Sequence, residues 1–161
     1  FGFVRNPWSR AVSFYKFHGH HYLMSFEEFV HFKLPQLIEE ERWFYGPQRE
    51  FFFVDGENKA DFIGKFEHLQ DDFAKVCTAL SIPVKSLPHK NKSAAKGGVR
   101  SLKKFGNRFI KRPETWPALV FKAGDKIKAK NYRAYYTPEL IAAVEKLYKE
   151  DVAAFEYSFE D

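Results

Sequence analysis

Phe1-Gly2-Phe3-Val4-Arg5-Asn6-Pro7-Trp8-Ser9-Arg10-Ala11-Val12-Ser13-Phe14-Tyr15 is the stretch that decides the fold. Residues 1–4 are apolar and end at a polar turn, the pattern of a short buried strand. Asn6 and Pro7 then form a helix start, asparagine as N-cap and proline at the first helical position. Trp8, Ala11, Val12 and Tyr15 follow at helical spacing and predict the buried face. Arg5 therefore stands at the carboxyl end of a buried strand, where open α/β sheets place their ligands. The helix that starts directly after it offers N–H groups carrying partial positive charge.

Ser13 lies six residues beyond Pro7, roughly 9 Å along a helix. An anion touching both Arg5 and Ser13 must then lie along the helix flank. A guanidinium gives phosphate a two-pronged charged contact, and a serine hydroxyl adds a neutral donor. Taken alone, an arginine in this position is more often solvated or paired with a carboxylate.

Outward from this stretch, Ser25 and Glu28 form a capping box that opens a second helix, with Phe26, Phe29 and Val30 inward. Pro35 is expected to break it, and a third helical stretch is expected from Leu37 to Phe44. Gly46-Pro47 makes a turn. Phe51 to Val54 and Asp61 to Gly64 are expected as strands flanking an Asp55-Gly56 turn. Leu69, Phe73, Val76, Cys77 and Leu80 mark a helix that ends at Ile82-Pro83. A last helix starts at Thr137-Pro138 and is expected to bury Leu140, Ile141, Val144, Leu147 and Val152. Strand-helix alternation at the start, then mostly helices, predicts one α/β domain over 1–161 with a small parallel sheet.

Composition sets bounds on function. The 161 residues suffice for one core, and 19 Phe predict that this core is rich in rings. No run of 18 apolar residues exists, so no membrane-spanning helix is expected. The single cysteine, Cys77, rules out an internal disulfide and any cysteine-based metal framework. That pattern suits a reducing compartment, and a cytoplasmic, bacterial-type setting is expected over a Golgi lumen. Net charge is +5, yet residues 92–131 hold twelve Lys/Arg against two acids, so the remainder is about −5. A segment this basic points to a polyanionic partner or to a solvated surface loop.

The string V-R-N-P-x-x-R-x-V-S-x-Y, residues 4–15, resembles the 3′-phosphate-binding motif of sulfotransferases that use PAPS (3′-phosphoadenosine 5′-phosphosulfate), specifically the family containing the carbohydrate sulfotransferases and many bacterial relatives. Glu67-His68-Leu69-Gln70-Asp71-Asp72-Phe73, His89-Lys90-Asn91-Lys92-Ser93 and the closing segment from Tyr135 resemble further elements of that family, in order. The resemblance implies a P-loop-kinase-like, three-layer sandwich with a small parallel sheet flanked by helices and a helix-rich C-terminal half. It implies transfer of a sulfuryl group from PAPS to a hydroxyl or amine of a carbohydrate or glycoconjugate acceptor, with no metal. Arg5 and Ser13 would contact the 3′-phosphate. Lys92, Ser93, Lys96 and Arg100 would form part of a basic lid or insertion over 92–131, made approachable by Gly97-Gly98. The phosphosulfate-cradling loop of such enzymes precedes the 3′-phosphate motif, and no G-x-x-x-x-G-K-[ST] occurs in these residues. An N-terminal portion upstream of Phe1 is therefore expected.

Other constellations carry weaker signals. His18 and His20 are candidate acid/base groups, although a third metal ligand at sensible spacing is not evident. Glu67 is a candidate catalytic carboxylate, with helix-start capping as its structural alternative. Trp43, Phe44, Tyr45 and Trp116 suit either a sugar-stacking platform or the core. The segment 92–131 also suits contact with an anionic membrane or acidic glycan; specific nucleic-acid binding is not expected. The rival to an enzyme is a non-catalytic anion-binding module for a nucleotide, RNA or acidic glycan.

Overall fold

Strand β1 (Gly2–Val4) pairs in parallel with β4 (Ile63–Lys65), in the register Gly2↔Ile63, Phe3↔Gly64 and Val4↔Lys65. The structure, a computed structural model, describes residues 1–84, 86–87 and 131–161. The basic stretch expected as a lid, with Lys92, Ser93, Lys96 and Arg100, lies outside the described residues apart from Asn131, as does Trp116. Gly64 is required by the pairing: a Cβ there would come within 2.5 Å of the Phe3 ring. The architecture is α/β, helix-rich with a small parallel sheet.

Helix α1 (Pro7–Phe17) starts where the sequence places it. Asn6 Oδ1 accepts from Trp8 N and Ser9 N, both at 3.1 Å, and Pro7 has no N–H to satisfy. Its inner face, Trp8, Ala11, Val12, Phe14 and Tyr15, is buried. The capping box of Ser25 and Glu28 opens α2 (Phe26–Glu28) as expected. Tyr15 packs edge-on against Phe26 at 5.2 Å and tilted against Phe29 at 5.4 Å, and its hydroxyl donates to Met24 O. Each such fully buried ring contributes about 1.5–3 kcal/mol of apolar transfer, and its hydroxyl keeps a partner. The core is ring-rich, as composition predicts: Tyr15, Tyr45, Tyr148, Phe26 and Phe29 are among the largest fully buried side chains.

Several sequence expectations need correction. Pro35 does not end the second helix. A π-helical turn (Phe29–Lys33) precedes it, Leu34 N bonds Phe29 O, and the chain runs on as α3 (Leu34–Glu40) with Pro35 in its first turn. The wider turn takes up the missing donor, which is how proline is tolerated within a continuous helical run. The next break falls at Glu41 (φ −129°, ψ 52°), before α4 (Arg42–Tyr45). Residues Gln48–Phe51 form a 3-10 turn rather than a strand start, and β2 is only Phe53–Val54. Its hairpin partner across Asp55-Gly56 is β3 (Glu57–Asn58). The Asp61–Gly64 candidate instead begins late, at Ile63, and joins β1. Helix α5 (Leu69–Ala79) buries Val76 and Cys77, whereas Leu80 lies past its end and is exposed.

The last helix is two: α6 (Pro138–Leu147) and α7 (Lys149–Phe155), bent at Tyr148. Of its predicted inner residues, Leu140 and Val144 are buried, and Ile141, Leu147 and Val152 are half-buried. Helix α6 lies on α1, where Trp8 Nε1 donates to Ile141 O at 3.0 Å. No helix among the described residues is long and apolar enough to cross a membrane.

Candidate functional site

Arg5 follows β1 directly, and two sets of contacts hold it. Its backbone is clamped by one amide: Arg5 N donates to Gln48 Oε1 at 2.9 Å and Gln48 Nε2 donates to Arg5 O at 2.8 Å. Its guanidinium donates from Nε (3.0 Å) and Nη2 (2.8 Å) to the hydroxyl oxygen of Ser9, and the Phe66 ring lies 4.9 Å from Cζ. Among the described residues no carboxylate pairs with it. The acid that acts most on its charge, Glu67, is committed elsewhere: Oε1 accepts from Asn6 N at 2.9 Å and Oε2 from Tyr157 OH at 3.0 Å. Burial lowers the Arg5 guanidinium from its ordinary value, with Glu67 and Tyr157 acting against that shift. It nonetheless stays charged at neutral pH. A half-buried cation with a neutral partner is left in deficit of negative charge.

Gln48 is itself anchored. The buried Asp151 carboxylate accepts from Gln48 N and Arg49 N, both at 2.8 Å, and from Gln48 Nε2 at 3.3 Å. Burial pushes the Asp151 carboxyl up, while these donors and the Arg10 guanidinium, 4.0 Å away, pull it back. Arg10, the second arginine of the motif, donates to Gly46 O and Phe44 O, both at 2.8 Å. It ties α1 to the end of α4. Asn6, fully buried, caps α1 and donates through Nδ2 to Ser158 O at 2.8 Å, joining the strand end to the C-terminal segment.

The helix N-terminus contributes less than its position suggests. The N–H groups of Trp8 and Ser9 are taken by Asn6 Oδ1, and Arg10 N bonds Asn6 O. What remains for an anion is a row of side chains: Arg5, Ser9 and Ser13, with the two serines four residues apart on one helix face. Ser13 is half-buried, and among the described residues its hydroxyl engages no partner. The guanidinium is fastened to Ser9, one turn before Ser13.

Of the remaining candidates, the histidines pack among core rings and Glu67 adjoins Arg5. His18 packs on Phe44 (5.3 Å) and Tyr45 (5.7 Å), and His20 on Phe29 (5.0 Å). His21 Nδ1 is 3.4 Å from Tyr15 O, and burial lowers its pKa from the ordinary value. Among the described residues no cluster of three His, Cys, Asp or Glu is placed to hold a metal ion. Glu67 stands beside Arg5 but spends both oxygens joining the β1–α1 junction to Tyr157. Trp43 is largely exposed, Phe44 half-buried and Tyr45 buried, so these rings do not form one flat exposed surface.

The fold and this site thus define an α/β domain with a half-buried arginine at a strand end, held by a serine, a glutamine and a ring. The chain belongs to the sulfotransferase family, whose model matches residues 1–158. A protein of Archaeoglobus fulgidus described as uncharacterized is 32% identical over an alignment of 95 residues that covers 52% of this chain and 68% of that relative. No solved structure matches.

Proposed function

We propose that the protein is a PAPS-dependent sulfotransferase, and that Arg5 and Ser13 bind the 3′-phosphate of the nucleotide. The observation that carries this is the half-buried Arg5 guanidinium, positioned by Ser9 and Gln48 with no carboxylate partner among the described residues. An arginine held for structure alone ends in carboxylates or carbonyls, as Arg10 does here. Two of the five Arg5 N–H groups go to Ser9, which leaves the outer guanidinium edge for two phosphate oxygens.

PAPS supplies an activated sulfuryl group on a phosphate oxygen. In the transfer that group moves to an acceptor oxygen or nitrogen, the acceptor loses a proton, and 3′,5′-bisphosphoadenosine departs. The acceptor class is a carbohydrate or glycoconjugate, and the fold a P-loop-kinase-like three-layer sandwich, both on the strength of family likeness. Lys92, Ser93, Lys96 and Arg100 belong to this reading as a lid over the nucleotide. His18, His20 and Glu67 are the candidates for the base. The role of the described residues is to place a fixed positive charge on the ribose phosphate, so that the nucleotide is oriented before transfer.

Calorimetry with 3′,5′-bisphosphoadenosine tests the proposal. Arg5→Ala should weaken binding by about 1.5–3 kcal/mol, the scale of a charged hydrogen bond, and leave adenosine 5′-phosphate unaffected. Because the hydrogen-bonding and ring partners of the Arg5 side chain among the described residues are the neutral Ser9 and Phe66, the variant should unfold close to the wild-type temperature. Binding of the bisphosphate that ignores Arg5, with steeply salt-dependent RNA binding beside it, would favour an anion-binding module instead.

A further inference from the structure

We infer that Ser9 is an additional ligand for the nucleotide phosphate, acting both as the residue that orients Arg5 and as a hydroxyl donor whose direction is set by that arginine. This rests on the reading of Arg5 above and names a residue that neither the motif nor the family match assigns. A serine oxygen has two acceptor lone pairs and one O–H. Here Arg5 Nε and Nη2 both donate to Ser9 Oγ, at 3.0 and 2.8 Å, so both lone pairs are spent. The Ser9 hydroxyl hydrogen is left as the only hydrogen-bonding capacity, and among the described residues it meets no acceptor. Ser9 can therefore only donate. A hydroxyl is normally indifferent to the sign of its partner, and this one is made selective for an acceptor by the cation next to it.

The consequence is a row of donors: the outer edge of Arg5 and the Ser9 O–H, which can only donate, and the half-buried Ser13 hydroxyl one turn further on, which is free to donate with them. Such a row suits a tetrahedral dianion, a terminal phosphate with three oxygens to satisfy, better than a carboxylate with two. The Nε/Nη2 edge, through which arginine most often grips a carboxylate, is already closed by Ser9. Phe66 covers a guanidinium face at 4.9 Å and Gln48 fixes the backbone, so rotation of Arg5 toward other partners is opposed on three sides.

Three substitutions test the inference, with 3′,5′-bisphosphoadenosine and adenosine 5′-phosphate as probes and the Arg5 Nε–H signal in 1H–15N spectra as a second readout. Ser9→Ala should weaken the bisphosphate on the order of tenfold, leave adenosine 5′-phosphate unchanged, and move the Nε–H signal to a fast-exchanging position in the free protein. Ser9→Thr, which keeps the hydroxyl, should restore both. Ser9→Asp should abolish bisphosphate binding, because its carboxylate takes the Nε/Nη2 edge, offers no donor and repels phosphate. If Arg5→Ala weakens the bisphosphate while Ser9→Ala binds as wild type with its Nε–H signal unmoved, the role of Ser9 is overturned and the Arg5 proposal stands. If bisphosphate binding ignores both residues, the nucleotide reading falls. Ser9→Asp binding as tightly as wild type overturns the donor role on its own.

Discussion

Replacing Asp151 by alanine removes a carboxylate that is 0% exposed and sits 146 residues from the arginine it supports. Three N–H donors lose their acceptor: Gln48 N and Arg49 N at 2.8 Å, and Gln48 Nε2 at 3.3 Å. The two backbone donors open a 3-10 turn and have no alternative partner in it. Leaving a buried donor unsatisfied costs about 1–3 kcal/mol each. The side-chain amide can still donate to Arg5 O, so its loss is smaller. Arg10 keeps two carbonyl acceptors but loses its counter-charge at 4.0 Å. The sum is roughly 3–5 kcal/mol, the range found when one partner of a buried pair is removed. That is a large share of the total stability of a domain, about 5–15 kcal/mol. Urea unfolding followed by circular dichroism should report it as a lowered midpoint with an unchanged slope. Asp151→Asn should fall between alanine and wild type, because one amide oxygen still accepts while the NH2 faces a donor. At temperatures where Asp151→Ala stays folded, its affinity for 3′,5′-bisphosphoadenosine should also fall, since Gln48 holds Arg5 through both N and O. A loss of less than about 1 kcal/mol in the alanine variant would refute the claim that this carboxylate organises the turn. Full stability loss with unchanged nucleotide affinity would refute the path from Asp151 through Gln48 to Arg5.

Two further outcomes concern the frame of the site. Gly64→Ala should cost about 1–3 kcal/mol in the same unfolding assay, because the new methyl meets the Phe3 ring at 2.5 Å and Asp72 Cβ at 3.0 Å; a neutral or stabilised variant would contradict the β1–β4 register. Asp72 accepts from Lys75 Nζ at 2.7 Å and Lys65 N at 2.8 Å, which hold its carboxyl below the ordinary 3.8. Its folded pKa being depressed, its contribution is present above pH 3.8 and is lost as pH falls through the lower folded value. The urea midpoint of Asp72→Asn should accordingly lie below wild type at neutral pH and approach it as acid is added; a gap that stays constant with pH would show that the charge is not involved.

The local devices were legible because they act over a few residues. Asn6 and Pro7 start α1, Ser25 with Glu28 starts α2, and Thr137 with Pro138 starts α6, each through hydrogen bonds within one turn. Arg5 at a strand end before a capped helix was visible for the same reason. Ser9 could have been singled out as well, since it sits four residues after Arg5 and four before Ser13 on one helix face. Gln48, Phe66 and Asp151 left no such signal, because their partners are remote in sequence and no spacing rule connects them. Pro35 misled in the opposite sense: its usual veto on helices was overridden by a π turn that packing of Phe29, Val30 and Leu34 stabilises.

By itself, the chain's order of residues determined where helices start, which faces turn inward, and that a charged group stands at the end of β1. Tertiary structure decided which strand pairs with β1, that Glu67 is spent on Asn6 and Tyr157, and that Arg5 is aimed by Ser9, Gln48 and Phe66. The physical reason is range. Capping and periodicity are satisfied within a turn of the chain, whereas the orientation of a half-buried cation depends on every polar group that folding brings within about 3 Å of it.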